Sequence, residues 1–139
     1  MKRFPDWEAR LAAYTASAQK QKFAWGTFDC ALAACGAAQA ITGEDPAASV
    51  RGKYSTEAQA QALFGASLGN FAASIAQTIG AKEVRPTFGR RGDIVLADNG
   101  TPSGALGFVD LSGRFAWAAS DKGMARLTMK RWKRAWLVG

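Results

Sequence analysis

The chain contains no histidine and only two cysteines, Cys30 and Cys35, among 139 residues. Without imidazole, chemistry that needs a base poised near neutral pH must find it elsewhere. A structural zinc site draws its ligands mainly from Cys and His, so none is expected. A disulfide is not expected either. Five residues apart on one helix, at about 100° each, the two thiols point roughly 140° away from each other. No apolar run approaches the ~18–20 residues that span a bilayer. The opening residues Met1 to Glu8 carry charge but no apolar segment of the kind a signal peptide needs. These absences predict one domain over residues 1–139, folded in a reducing cytoplasm without cofactor or metal.

What is present suits a soluble globular domain: 48% hydrophobic, 21% charged and 11% aromatic residues, enough to bury a single core. The net charge of +7 is unevenly placed. Residues 1–69 hold 7 Lys/Arg against 6 Asp/Glu, and residues 70–139 hold 11 against 5. The basic half faces either an acidic partner or plain solvent.

Hydrophobic spacing predicts a helix near 5–19, with Pro5 in its first turn. An aromatic loop, Phe23-Ala24-Trp25-Gly26-Thr27-Phe28, leads to Asp29. That residue reads as the N-cap of a helix running from Cys30 to about Thr42 and stopping at Gly43. The many alanines of this helix let neighbours approach closely, which marks it as central. Ser55 and Ser67 read as caps of two further helices, ending near Gly65 and Gly80. Beyond Gly80 the pattern shortens to strands over 82–85, 93–98, 105–111, 114–119, 124–129 and 131–138, parted by Gly and Asx turns. Helices followed by a meandering antiparallel sheet give an α+β fold, with N-terminal helices packed on a C-terminal sheet.

A cysteine at a helix start has two readings. It is a small buried hydrophobe, or it is a nucleophile whose thiolate the positive helix end stabilises. Trp25-Gly26-x-x-Asp29-Cys30, a small-residue helix, and Arg91-Gly92-Asp93 opening a sheet together resemble the NlpC-type papain-like hydrolases of bacterial cell walls and phage tails. The segments Thr42-Gly43-Glu44-Asp45-Pro46 and Val50-Arg51-Gly52-Lys53-Tyr54 look like those of a subgroup encoded in phages and prophages. The resemblance implies a papain-like fold, Cys30 at the nucleophile position, and a cleft formed by Trp25, Asp29, Ala105 and Ala118. It also implies a place in the virion tail, assembled in the host cytoplasm. For Trp25, ordinary core packing is the simpler reading.

The same resemblance exposes a departure. The family's His-x-Gly strand aligns with Ala105-Leu106-Gly107, and Ala118 stands near the position that orients the base. A positioned general base contributes roughly 10²–10⁴-fold, and without an acid the leaving amine of an amide is hard to protonate. Asp29, Asp93, Asp98 and Asp110 are the carboxylates close in sequence, and each has a structural role as cap, turn or strand-end residue.

The segment 130–136, Lys-Arg-Trp-Lys-Arg-Ala-Trp, places Lys130, Arg131, Lys133 and Arg134 among tryptophans. In a regular strand Trp132, Arg134 and Trp136 share one face, with the tryptophans packed on helices and the cations guarding an edge. Subunit docking and stacking on nucleic acid are the alternatives. The resulting expectation is a non-catalytic papain-like component of a phage tail tip or baseplate, docked to hub or tape-measure proteins. A weak or partner-completed cysteine endopeptidase of peptidoglycan and a basic nucleic-acid-binding module are the other two readings.

Overall fold

Helices and strands segregate along the chain in the computed structural model, which describes residues 1–65 and 67–139. Helix α1 spans Trp7–Ala18, α2 Cys30–Thr42, α3 Glu57–Phe64 and α4 Leu68–Thr78. Six strands follow: β1 Glu83–Val84, β2 Ile94–Ala97, β3 Ala105–Val109, β4 Phe115–Ser120, β5 Gly123–Thr128 and β6 Trp132–Trp136. They form one antiparallel sheet in the order β1-β6-β2-β3-β4-β5. The α+β class with helices preceding the sheet is therefore observed.

Local chemistry explains most boundaries. Asp29 accepts from the Leu32 N–H at 2.9 Å, and Gly43 ends α2 at φ 82°, the left-handed region that glycine adopts without strain. Ser67 caps α4 through the Asn70 N–H. Two start signals differ from expectation. Thr56, not Ser55, caps α3, while Ser55 donates its own N–H to Gln59 Oε1 at 2.9 Å. Pro5 lies ahead of α1, which begins at Trp7. Asp6 at its cap position makes no capping bond because its carboxylate is paired with Arg10 at 2.8 Å.

Helix α2 lies between α1 and strands β3 and β4. Ala31, Ala33, Ala34, Ala37 and Ala38 are buried there, so the alanine-rich helix is the central one. Tyr14 of α1 donates to the Ala33 carbonyl at 2.7 Å, and a Cβ at Gly36 would come within 2.4 Å of that hydroxyl. The face of the sheet turned toward the helices buries Leu106, Phe108 and Trp136 with Leu11, Leu32 and Ile41. The other face has its own apolar cluster, with Val95, Val109, Leu127 and Trp132 among its members.

The sheet departs from a simple meander at its end. β2 through β5 follow one another as hairpin neighbours, but β6 crosses back to pair with β2. Met129–Arg131 form a 3-10 turn, so Arg131 lies outside the strand expected over 131–138, which begins at Trp132. The register with β2 shifts between Leu96, opposite Arg134, and Ala97, opposite Trp132. Lys133 is thus an extra residue, and a bulge of this kind breaks the period of two. Trp132 and Trp136 consequently fall on opposite faces of the sheet, Trp132 with Ala135 and Trp136 with the helices. The expectation that they share a face fails for this reason.

Candidate functional site

The loop before α2 is held by its own backbone. Ala24 and Phe28 form a bridge, and the chain turns at Gly26 with φ 84°. A Cβ at Gly26 would lie 1.7 Å from the Tyr54 carbonyl oxygen, so no side chain fits. The Asp29 carboxylate is 1% exposed and engaged at both oxygens. It accepts from Gly26 N–H at 3.1 Å, Leu32 N–H at 2.9 Å and the Tyr54 hydroxyl. Burial and the bond to Asp29 hold the Tyr54 hydroxyl well above its ordinary range. Asp29 therefore acts as a lock between loop, helix and the 50s segment.

Cys30 follows at the first position of α2, half-buried, and packs against the apolar cluster on the far face of the sheet. Ala105 at the start of β3 and Ala118 on β4 belong to that same cluster. The three positions singled out from the sequence are thus brought together, and two of them present methyl groups. A methyl group neither takes a proton from the thiol nor returns one to a leaving group. Gly107 completes the alanine strand for a steric reason: a Cβ there would lie 2.6 Å from the Trp117 carbonyl oxygen.

Of the two readings of the helix-start cysteine, burial favours the neutral thiol. Burial pushes the Cys30 thiol up to about 11; the Leu106 backbone pulls weakly against this, and the Asp29 charge adds to the rise. Two effects compete here, and desolvation wins. The capping carboxylate also neutralises the positive helix end that would have favoured the thiolate. Cys35, fully buried, is pushed to about 12 by the same desolvation. Both thiols are free of disulfide.

The other carboxylates are engaged as well. Asp93 is 0% exposed and accepts from Arg3, Arg90, and the N–H groups of Arg90 and Val138. Asp98 accepts the Gly100 N–H in its turn, and Asp110 accepts from Ser112 N–H and Trp117 Nε1. None is placed as a surrogate base. Trp25 is half-buried, edge-to-face with Phe23 at 5.0 Å and packed at the margin of the helix-side core.

Three of the four cations near the C-terminal end are available. Lys130, Arg131 and Lys133 are exposed. Arg134 is half-buried, forked onto Glu83 at 2.6 and 3.0 Å, with its guanidinium 5.0 Å from the centre of the Trp136 ring. Among the described residues, no group of three or more His, Cys, Asp or Glu side chains could hold a metal, and no helix is long and apolar enough to cross a membrane.

The roles of Tyr54 and Arg3 were not legible in the sequence, because each acts on a carboxylate far away in the chain. No curated protein matches the chain. Residues 2–138 match the model of a family described as a domain of unknown function (DUF6950), and the chain belongs to that family.

Proposed function

We propose that this protein is a non-catalytic module on an NlpC-type papain-like scaffold, serving as a structural component of a phage tail tip. The observation that carries the reading is the convergence of Cys30, Ala105 and Ala118 on one apolar cluster. A helix-start cysteine packed toward a strand is the arrangement that the resemblance implies, and the two positions that would supply proton transfer are alanine. The raised Cys30 thiol supports the same reading, since a hydrolase would need it lowered. The segment 42–54 supports the phage context through its resemblance alone.

Docking to hub or tape-measure proteins falls to the exposed Lys130, Arg131 and Lys133, which stand clear of internal ion pairs. Charge of one sign on a rim steers association and fixes orientation more than it adds affinity. The test has two arms. Purified wild-type and Cys30→Ala protein should both fail to release fragments from peptidoglycan; Cys30-dependent cleavage of a stem peptide would restore the hydrolase reading. Co-expression with the hub and tape-measure proteins of the same phage genome should give a complex that Lys130→Glu, Arg131→Glu and Lys133→Glu together weaken. DNA binding at low salt, lost in that triple variant, would replace docking with the nucleic-acid reading.

A further inference from the structure

A cavity of about 640 Å³ opens at the other end of α2, lined by Lys2, Arg3, Trp7, Arg90, Arg91 and three glycines. The Phe4 N–H donates to the Ile41 carbonyl near the C-terminal end of α2, and a Cβ at Gly92 would lie 3.0 Å from the Ile41 side chain, so this cavity lies roughly 16 Å along the helix axis from Cys30. Its volume falls within the range of small-molecule sites, about 300–1,000 Å³. Gly89, Gly113 and Gly139 leave that part of the lining free of side chains.

Its charge is unbalanced. Among the described residues, the side-chain ion pairs of Lys2, Arg3, Arg90 and Arg91 are with Asp93 and Glu8, and a Gly139 oxygen accepts from Arg90 at 3.1 Å. Asp93 is shared between two guanidiniums. The Arg91–Glu8 pair is open to solvent on both sides, the kind of surface pair that a ligand displaces at little cost. Lys2 has no ion-pair partner among the described residues. The guanidinium carbons of Arg3 and Arg91 lie 4.2 and 5.3 Å from the centre of the Trp7 ring, which holds both arginines beside the opening. Burial lowers the Arg3 pKa, Asp93 works against that, and nearby Arg90 and Arg91 add to the lowering, as expected where positive charge is crowded.

We propose that this cavity binds the dianionic phosphate of a small soluble ligand, with Lys2, Arg90 and Arg91 donating to its oxygens. Four cations against two side-chain carboxylates make the lining rich in positive charge, which favours an anion there. Arginine's planar donors match phosphate geometry in pairs. The volume exceeds that of the bare ion, so a phosphomonoester with an organic body fits best. This reading stands on the N-terminal segment, the turn before β2 and the β3–β4 turn, and is independent of the role of Cys30.

Isothermal titration of the full chain at low salt, with inorganic phosphate and adenosine monophosphate as separate probes, tests it. The nucleotide should bind with Kd on the order of 0.1–1 mM, and raised salt should weaken it. Lys2→Ala with Arg91→Ala, both at exposed positions, should weaken binding at least about tenfold with an unchanged melting curve. Lys130→Ala with Lys133→Ala should leave it unaltered. Equal affinity for both probes identifies the free ion as the ligand, and tighter nucleotide binding identifies the ester. Absence of binding by both probes, binding that survives the Lys2→Ala/Arg91→Ala change, or binding of oligonucleotides alone overturns the proposal.

Discussion

Asp29 and Asp93 are both buried carboxylates, at opposite ends of the same helix–sheet layer, yet they are satisfied in different ways. Asp29 takes two backbone N–H groups and the Tyr54 hydroxyl, all uncharged. Asp93 takes two guanidiniums and two N–H groups, and through them joins Arg3 near the start of the chain, the turn before β2, and Val138. The first arrangement fixes a local turn. The second gathers positive charge at a cavity and ties distant segments together. The chemistry of the donors decides the difference: neutral donors leave a quiet apolar neighbourhood around Cys30, while excess cations leave a field that solvent and ligands feel.

That contrast can be broken at its strong end first. Asp93→Ala should cost about 3–5 kcal/mol in urea unfolding, because Arg3 and two N–H groups lose their acceptor in a buried setting. A loss under 1 kcal/mol would show that water replaces the carboxylate there. Asp29→Ala should cost about 2–4 kcal/mol by the same measurement, since a cap is lost and the Tyr54 hydroxyl is orphaned without any stranded charge.

The thiol beside Asp29 gives a third test. With Cys30 raised from the ordinary 9.0 to about 11, its thiolate fraction at pH 8 falls about 100-fold. Iodoacetamide labelling of Cys30, followed by mass spectrometry, should slow by at least that factor in the native state relative to urea. The linkage has a definite sign: the folded pKa lies above the unfolded one, so the native state holds the proton longer. Stability from this group is intact below pH 9 and is lost as pH rises toward 11. Native labelling as fast as in urea would show that Cys30 is open to solvent and retains a nucleophile's setting. The smallest effect belongs to an exposed pair. Arg134→Ala, which removes the fork onto Glu83, should cost under about 1 kcal/mol. A larger loss would place Arg134 with the buried network.

What could be read in the sequence was what short spacing controls. The Asp29 cap, the stop at Gly43, the central alanine helix and the positions of all six strands follow from residues within a turn or two of each other. The site positions Cys30, Ala105 and Ala118 could be named in advance because a motif resemblance carried them, and the fold does bring them together. Features that depend on distant partners stayed hidden. Strand β6 returns to β2 across three intervening strands, and its extra residue, Lys133, reverses the facing of Trp132. Asp93 was visible only as half of a Gly-Asp turn, since its main partners lie 90 and 45 residues away. The basic cavity was invisible for the same reason, its lining being drawn from residues 2–7, 89–91, 113 and 139. The two readings of Cys30 stayed open in the sequence because a helix end can be read there and burial cannot.

The network around Asp93 also brings residues 3 and 139 into contact: a Cβ at Gly139 would lie 2.7 Å from Arg3 Cγ. Two segments that approach this closely can be joined by a short connection without disturbing the sheet between them. A permuted version, with those two segments joined and the chain opened at the exposed turn 99–103, should retain the same sheet.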